Sequence, residues 1–446
     1  MEYSIEEVNM MGLREYLKQL EKEGSLLRIS KPVSRRFEAA GVLKAVEPKP
    51  VLFENVKDSE YRIMGNLFCS KDSIASYLKI TTKDIIPILS KAIEDRSVPK
   101  EIKSAPCQEV VESTVDLDKV PMLLHNERDG GPYISSAVVV AGHPKYGQNL
   151  DFHRAMQLEK NKMSTRVVAK RNFHTFLEDI GEIDVAFCIG NSPNILVAAA
   201  TSVEIGVNEL EIANALEPIH VVKAKNSDLL IPADCEWVLE GKVYRDKRHA
   251  EGPFIDLTQT YDIIRNEPIF EVTCITHRKD AIWQALLPGA YEHKVLMGMP
   301  REPTIFRKIT EKGVRCLDVN IDPGGCSWLH AVVQIDKQRE EDGKLAIEGA
   351  FEGHRSLKHA FIVDKDIDIY DPYDVEWAMA TRFQGDTDIV IKDKERGSSL
   401  DPSSEPGTYL TTKIGYDLTH PLKIEAGKNF AKASFPDVDL TKFLEE

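Results

Sequence analysis

The chain has 446 residues, 42% of them apolar and 29% charged, with a formal net charge of −15. That length implies two or three domains, each able to bury its own core. The acidic balance argues against a nucleic-acid or anionic-membrane surface, without forbidding a local basic pocket for a phosphorylated ligand, and no apolar run is long enough to span a membrane.

The N-terminus, Met1-Glu2-Tyr3-Ser4-Ile5-Glu6-Glu7, is acidic and lacks the apolar segment of a signal peptide, which reads as cytoplasmic. Within Met11 to Glu23, Leu13, Tyr16, Leu17 and Leu20 fall at helical spacing, and Gly24 stops the helix. Leu26 to Ile29, Val51 to Phe53 and Arg62 to Met64 read as strands. Asp72 to Leu78 and Asp84 to Ile93 read as helices, the second capped by Thr82 or Lys83-Asp84. Residues 1–108 are thus an α/β unit, closed by a polar, proline-bounded segment, Val98 to Pro106, that suits a linker or an edge.

From 109 to 303 the pattern turns to β. Ser136 to Ala141, Thr165 to Ala169, Val185 to Ile189, His220 to Ala224, Leu229 to Ile231 and Ile269 to Thr276 are strand-like, with helices at Phe173 to Asp179 and Asn208 to Leu216. From 304 to 446 strands (Val332 to Ile335, His359 to Asp364, Thr387 to Ile391) alternate with a helix, Val375 to Arg382, as in a second α/β domain. Lys428 to Glu446 reads as a tail that packs on a neighbour. Seven scattered cysteines form no CxxC pair, which disfavours a disulfide framework or a structural zinc site.

Two stretches carry chemistry. In Gln148-Asn149-Leu150-Asp151-Phe152-His153-Arg154-Ala155-Met156, Asn149 and Arg154 are five apart, so an extended chain puts them on opposite faces. One suits an ion or a phosphate, the other a reacting carboxylate; the competing reading is a surface hairpin. In Ala250-Glu251-Gly252-Pro253-Phe254-Ile255-Asp256, two acids five apart flank a Gly-Pro turn, where the competing reading is a solvated loop.

Together these stretches resemble the UbiD family of decarboxylases, which use prenylated FMN. Asp129-Gly130-Gly131-Pro132-Tyr133-Ile134, Gly324-Gly325-Cys326-Ser327 and Arg396-Gly397-Ser398-Ser399-Leu400-Asp401-Pro402 extend the likeness along the chain. It implies a split β-barrel of flavin-reductase type for residues 109–303, and an overall α/β (α+β) fold with oligomer contacts from the C-terminal domain.

The resemblance also implies roles. Decarboxylation needs an electron sink that no side chain offers, and the family's cofactor supplies it. Arg154 is expected to clamp the substrate carboxylate through two hydrogen bonds. Asp256 is the expected proton donor, with Glu251 as the second acid; an acid beside another acid in an apolar pocket has its pKa pushed upward. Many relatives have Glu where this chain has Asp256, one methylene longer. Phe152, His153, Arg166, Val167, Val168, Arg171, Asn172 and Lys413 are expected around the flavin. Asn149, Glu209 and Asn172 are the expected ligands of Mn2+ or Mg2+, with K+ a further ion. Asn172 stands where some relatives have His, so His174 is an alternative ligand, and Glu211 competes with Glu209.

The substrate expected from the archaeal branch of the family is trans-anhydromevalonate 5-phosphate, converted to isopentenyl phosphate and CO2, with His125, Arg128 and His153 as candidates for its phosphate. The alternatives are an aromatic acid such as polyprenyl-4-hydroxybenzoate or another hydroxybenzoate, a non-catalytic flavin-binding homologue, and a flavin oxidoreductase. The expected partners are a flavin prenyltransferase as cofactor supplier and further copies of the chain, as a dimer or hexamer.

Overall fold

The computed structural model describes residues 12–433 and 435–443. The acidic N-terminus and Met11 lie outside them, as do the last three residues of the tail.

The first helix, Leu13–Lys22, buries Leu13, Tyr16, Leu17 and Leu20 along one stripe. Gly24 ends it at φ +70°, a conformation that costs glycine nothing. The helix Lys71–Leu78 is capped by Ser70, and the one after it is entered through Thr81 rather than Thr82. The Thr81 backbone N–H and hydroxyl both donate to Asp84, and a 3-10 turn precedes the helix Ile85–Glu94. Four strands form the sheet of this N-terminal unit, in the order Leu27–Ile29, Val51–Phe53, Arg62–Gly65 and Ile282–Ala285. The last of these comes from far along the chain and pairs parallel to Arg62–Gly65. The polar segment before Pro106 is an edge: Lys100–Ile102 pairs parallel with His220–Lys223.

The central domain holds a nine-stranded sheet among the described residues. Its path runs Gly147–Phe152, Val138–His143, Glu182–Ile189, Trp237–Glu251, Arg265–His277, Lys162–Thr165, Ala155–Glu159 and Tyr133–Ile134, with Val110–Val111 added beside Arg265–His277. Phe152 lies in the strand at one end of this path and Ala155 in a strand near the other. Only His153 and Arg154 join them. Three residue steps span at most about 11 Å, so the two ends of the sheet lie together and the sheet is rolled, with a seam at Arg154. Ser135–Ala137 cross the same seam between Tyr133–Ile134 and Val138–His143. The roll encloses Val139, Ala141, Phe187, Leu239, Val243 and Phe270, all buried.

Two strand expectations shift here. The strand expected over Thr165 to Ala169 ends at Thr165, because the Arg166 guanidinium turns back onto the Val167 carbonyl and the Glu267 carboxylate, and Lys170 has φ +65°. Asn149 and Arg154 do not share one extended chain: the strand stops at Phe152, and Arg154 belongs to the seam.

In the C-terminal domain a five-stranded sheet runs Cys316–Asn320, His330–Ile335, His359–Asp364, Leu410–Asp417 and Ile389–Arg396. Helices Glu302–Glu311 and Asp342–Gly353 pack closely, and Gly349 and Gly353 let the backbones meet: a Cβ on either would lie under 3.0 Å from Ile305 or Ile309 backbone. Beyond it the described tail leaves Phe435, Val438 and Phe443 exposed. No described helix is long and apolar enough to cross a membrane.

Candidate active site

The long strand Trp237–Glu251 ends with Glu251, and the Gly252-Pro253 turn returns the chain past Asp256. This brings both acids to the seam. Arg154 Nε donates to Glu251 Oε1 at 2.9 Å and its Nη2 to Oε2 at 3.0 Å, a two-point pair. Nη1 donates to Asp256 Oδ2 at 2.8 Å, and Nη2 donates again to Asp262 Oδ2 at 2.9 Å. Glu251 is fully buried and also accepts the Tyr133 hydroxyl at 3.0 Å. Tyr133 stacks on Phe254 with ring centroids 3.9 Å apart, and the Arg154 guanidinium stands 5.3 Å from the Phe254 centroid.

Electrostatics fix the charge on Arg154. Burial opposes its charge, but Glu251, Asp256 and Asp262 outweigh burial and raise its pKa. Asp262 is held below its ordinary value: burial works against this, and Arg265 and Arg154 prevail. Glu267, paired with Arg166 at 2.7 Å, is pushed up by burial. Arg154 carries five N–H groups, and four are spent on carboxylates. A two-point grip on a substrate carboxylate therefore requires Asp256 or Asp262 to turn away.

The predicted acids and arginine thus meet, and Asp262, Arg265, Tyr133, Phe254 and Glu267 join them unforeseen. Asp262 sits six residues past Asp256 on a short hairpin, Phe254–Ile255 against Tyr261–Asp262, a spacing with no periodic signature. His293 was also missed. Its Nδ1 accepts the Gly289 amide at 3.0 Å, so the neutral ring carries its proton on Nε2. Burial lowers its pKa, Asp256 opposes this and Arg154 adds to it.

Two of the expected metal ligands, Asn149 and Glu209, meet at the strand Gly147–Phe152. Glu209 opens the helix Glu209–Leu216, capped by Asn208, and is buried; its Oε2 accepts the Leu150 amide at 2.7 Å. Burial pushes it well above the ordinary carboxylate range, and no ion pair among the described residues reaches it. Asn149 is buried with its Nδ2 unpartnered; turning the amide puts its oxygen there instead. A buried carboxylate without a countercharge beside an unsatisfied amide fits a hard cation with oxygen ligands. Asn172 begins the helix Asn172–Ile180. Among the described residues no three His, Cys, Asp or Glu side chains form a metal cluster.

His153 packs on Phe173 at 4.1 Å, with Nδ1 at 2.9 Å from the Arg166 carbonyl and Nε2 at 2.8 Å from Asp151. Phe152 packs on the core beneath, Val167 is buried and Val168 exposed. Arg171 is solvent-accessible in a cleft and reaches Ser202 at 3.3 Å. Lys413, on the C-terminal sheet, donates to the Arg355 carbonyl at 2.5 Å, and burial lowers it to about 8. The three phosphate candidates fare poorly. His125 is buried and lowered to about 3, hence uncharged. His153 is already engaged by Asp151, and Arg128 lies exposed, 4.1 Å over the Tyr261 ring.

A rolled sheet between two α/β units, with an arginine ringed by carboxylates at its seam, defines a site for handling an acid. Comparison with known proteins agrees. Residues 17–93, 100–291 and 294–418 match the N-terminal, Rift-related and C-terminal domains of 3-octaprenyl-4-hydroxybenzoate carboxy-lyase. The anhydromevalonate phosphate decarboxylase of Methanosarcina mazei is 42% identical over 96% of this chain and 100% of its own length. That of Methanothermobacter thermautotrophicus is 39% identical over 92% and 97%. The UbiD-class enzyme HmfF from Pelotomaculum thermopropionicum, solved in complex with FMN, superposes with a TM-score of 0.93 at 32% identity, covering 97% of this chain and 100% of its own. The chain belongs to the UbiD family of carboxy-lyases.

Proposed function

We propose that this enzyme decarboxylates trans-anhydromevalonate 5-phosphate to isopentenyl phosphate and CO2, using prenylated FMN. The observation that carries the chemistry is the Arg154 hub, with Glu251 on two of its nitrogens and Asp256 on the third. Glu251 and Tyr133 hold Arg154 in place. Arg154 orients the substrate carboxylate after one of its acids yields. The bond to the carboxyl carbon breaks, CO2 leaves, and the electron pair takes a proton from the Asp256 carboxyl. His293, which lies within electrostatic reach of Asp256, would return a proton to it. Prenylated FMN, when bound, supplies the electron sink. Phe152, His153, Arg166, Val167, Val168, Arg171, Asn172 and Lys413 would surround it. Asn149 and Glu209, with Asn172, would hold Mn2+ or Mg2+ (K+ being a further ion) against its phosphate.

The substrate is supported by the archaeal relatives, anhydromevalonate phosphate decarboxylases matched over most of their length. The same reading places the enzyme in the cytoplasm, takes its cofactor from a flavin prenyltransferase, and divides the chain at about residues 108 and 303. It assembles copies of the chain through the exposed Phe435, Val438 and Phe443 of the tail. The test is protein co-expressed with a flavin prenyltransferase and assayed for isopentenyl phosphate. Turnover that disappears in Asp256→Asn with the flavin still bound supports the reading; turnover of hydroxybenzoates but not of this acid rejects the substrate.

A further inference from the structure

We propose that Arg301, with Arg171 and Ser202, forms a binding site for a phosphate dianion at the cleft between the central and C-terminal domains. This rests on the preceding reading, in which both the flavin and the substrate carry a phosphomonoester.

The two guanidiniums converge on one hydroxyl. Arg171 Nη1 donates to Ser202 Oγ at 3.3 Å, and Arg301 Nη1 donates to the same oxygen. Neither arginine makes an ion pair among the described residues, whereas Arg14, Arg154, Arg166, Arg265 and Arg382 all do. Other arginines without an ion pair, such as Arg36 and Arg128, are exposed, whereas Arg301 is half-buried and converges with Arg171 on one oxygen, which leaves positive charge uncompensated there. Arg301 Nε is buried with no hydrogen-bond partner. Trp328 covers the guanidinium face at 5.4 Å, and His354, which contacts the Trp328 carbonyl at 3.0 Å, is held neutral by burial. Among the described residues no carboxylate pairs with either guanidinium; the acids that line a cavity beside Ser202 are Glu94 and Glu204.

Burial and the neighbouring Arg171 lower Arg301 to about 9, the direction expected of like charges facing each other in a cleft. A monoanion would leave one charge uncompensated. A phosphate dianion balances both, and its three oxygens match two forked donors and a hydroxyl. Ser202 also borders this neighbouring cavity of about 360 Å³, lined by Arg96 and Arg307 together with Glu94 and Glu204. Arg301 and Ser202 lie on the segments that follow two chemically important groups, His293 and the helix Pro193–Ala200 that leads to Glu209. The phosphate would therefore tie these two segments together beneath Trp328 of the C-terminal domain.

The full-length protein is compared with Arg301→Gln, Arg301→Lys and the milder Ser202→Ala. The first probe is inorganic phosphate, read as a rise in melting temperature. The rise is expected in the parent, in reduced form in Arg301→Lys and Ser202→Ala, and not in Arg301→Gln. The second probe is the ratio of FMN to riboflavin affinity, read by flavin fluorescence. The third is the KM of the phosphorylated acid for the cofactor-loaded enzyme. If the flavin supplies the phosphate, Arg301→Gln cuts the FMN preference about 10- to 100-fold. If the substrate supplies it, the flavin ratio survives and KM rises by a similar factor, far more than kcat falls. Variants that match the parent in all three readouts would overturn the site. An enzyme without decarboxylase activity that still shows the phosphate response would leave the site standing while rejecting the reaction.

Discussion

Arg154 is the most heavily engaged side chain of the site, and its partners differ in what they contribute. Glu251 takes two of its N–H groups from a fully buried position, so it fixes the guanidinium plane. Asp262 shares its charge between Arg154 and Arg265. Asp262→Asn removes that charge and leaves Arg265 short of a partner; we expect kcat/KM to fall about 10- to 100-fold with flavin binding retained. A variant as active as the parent would demote Asp262 to a bystander. Tyr133→Phe deletes one hydrogen bond to Glu251 and should cost about 1 kcal/mol of stability, measured by denaturant unfolding. Arg154, Glu251 and Asp256 were legible because a five-residue spacing around a Gly-Pro turn matches a known pattern. Asp262, Arg265 and His293 were not, since nothing local ties them to residues more than a hundred positions upstream.

Elements deliver these residues, and their weak points follow from geometry. Trp237–Glu251 changes register at Glu240 and Gly241, and a Cβ on Gly241 would sit 2.0 Å from the Glu271 carbonyl oxygen. Gly241→Ala should destabilise the protein by about 3 kcal/mol, seen as a lower denaturant midpoint. Helix Tyr291–Gly298 carries a different liability. Glu292, in its first turn, is buried beside the amides of Asn66, Leu67 and Phe68, yet its oxygens close no hydrogen bond of good geometry. Burial raises it to about 7, above the 4.5 of an exposed glutamate. The folded state therefore holds this proton more tightly. The resulting stability is fully present below about pH 4.5 and is lost as pH rises through 7. Glu292→Gln should gain up to about 3 kcal/mol over the parent at pH 8 and lose that advantage by pH 4.5; unfolding curves at the two pH values decide it. Short amphipathic helices and β-branched runs were readable from periodicity. The buried helix Pro193–Ala200 was not, because all its faces are apolar and hidden, leaving no stripe to detect. The fifteen-residue strand escaped because its second half, Tyr244 to Ala250, is polar and partly exposed.

At the scale of the molecule, the loop after Asp401 links the C-terminal domain to the seam. Tyr409, from that loop, lies against Arg265, which in turn holds Asp262. Tyr409→Phe should loosen that loop, giving faster amide hydrogen exchange over residues 398–410 than in the parent; unchanged exchange would show that the contact does not hold the loop. The alternation of α/β, β and α/β segments was visible along the sequence. The rolled sheet was implied only by family likeness, because a seam is a relation between strands, not a property of either.

The strand Ile282–Ala285 completes a sheet begun by residues 27–65. During synthesis its partner Arg62–Gly65 emerges more than two hundred residues earlier, and at ribosomal rates the wait is on the order of ten seconds or more. Throughout that interval the nascent N-terminal unit carries an open, apolar strand edge, the template for pairing with a stranger. The unit is therefore a dependent of the finished chain rather than a module in its own right. Residues 1–108 made alone should associate or precipitate, and adding back a peptide spanning 278–288 should restore a soluble monomer.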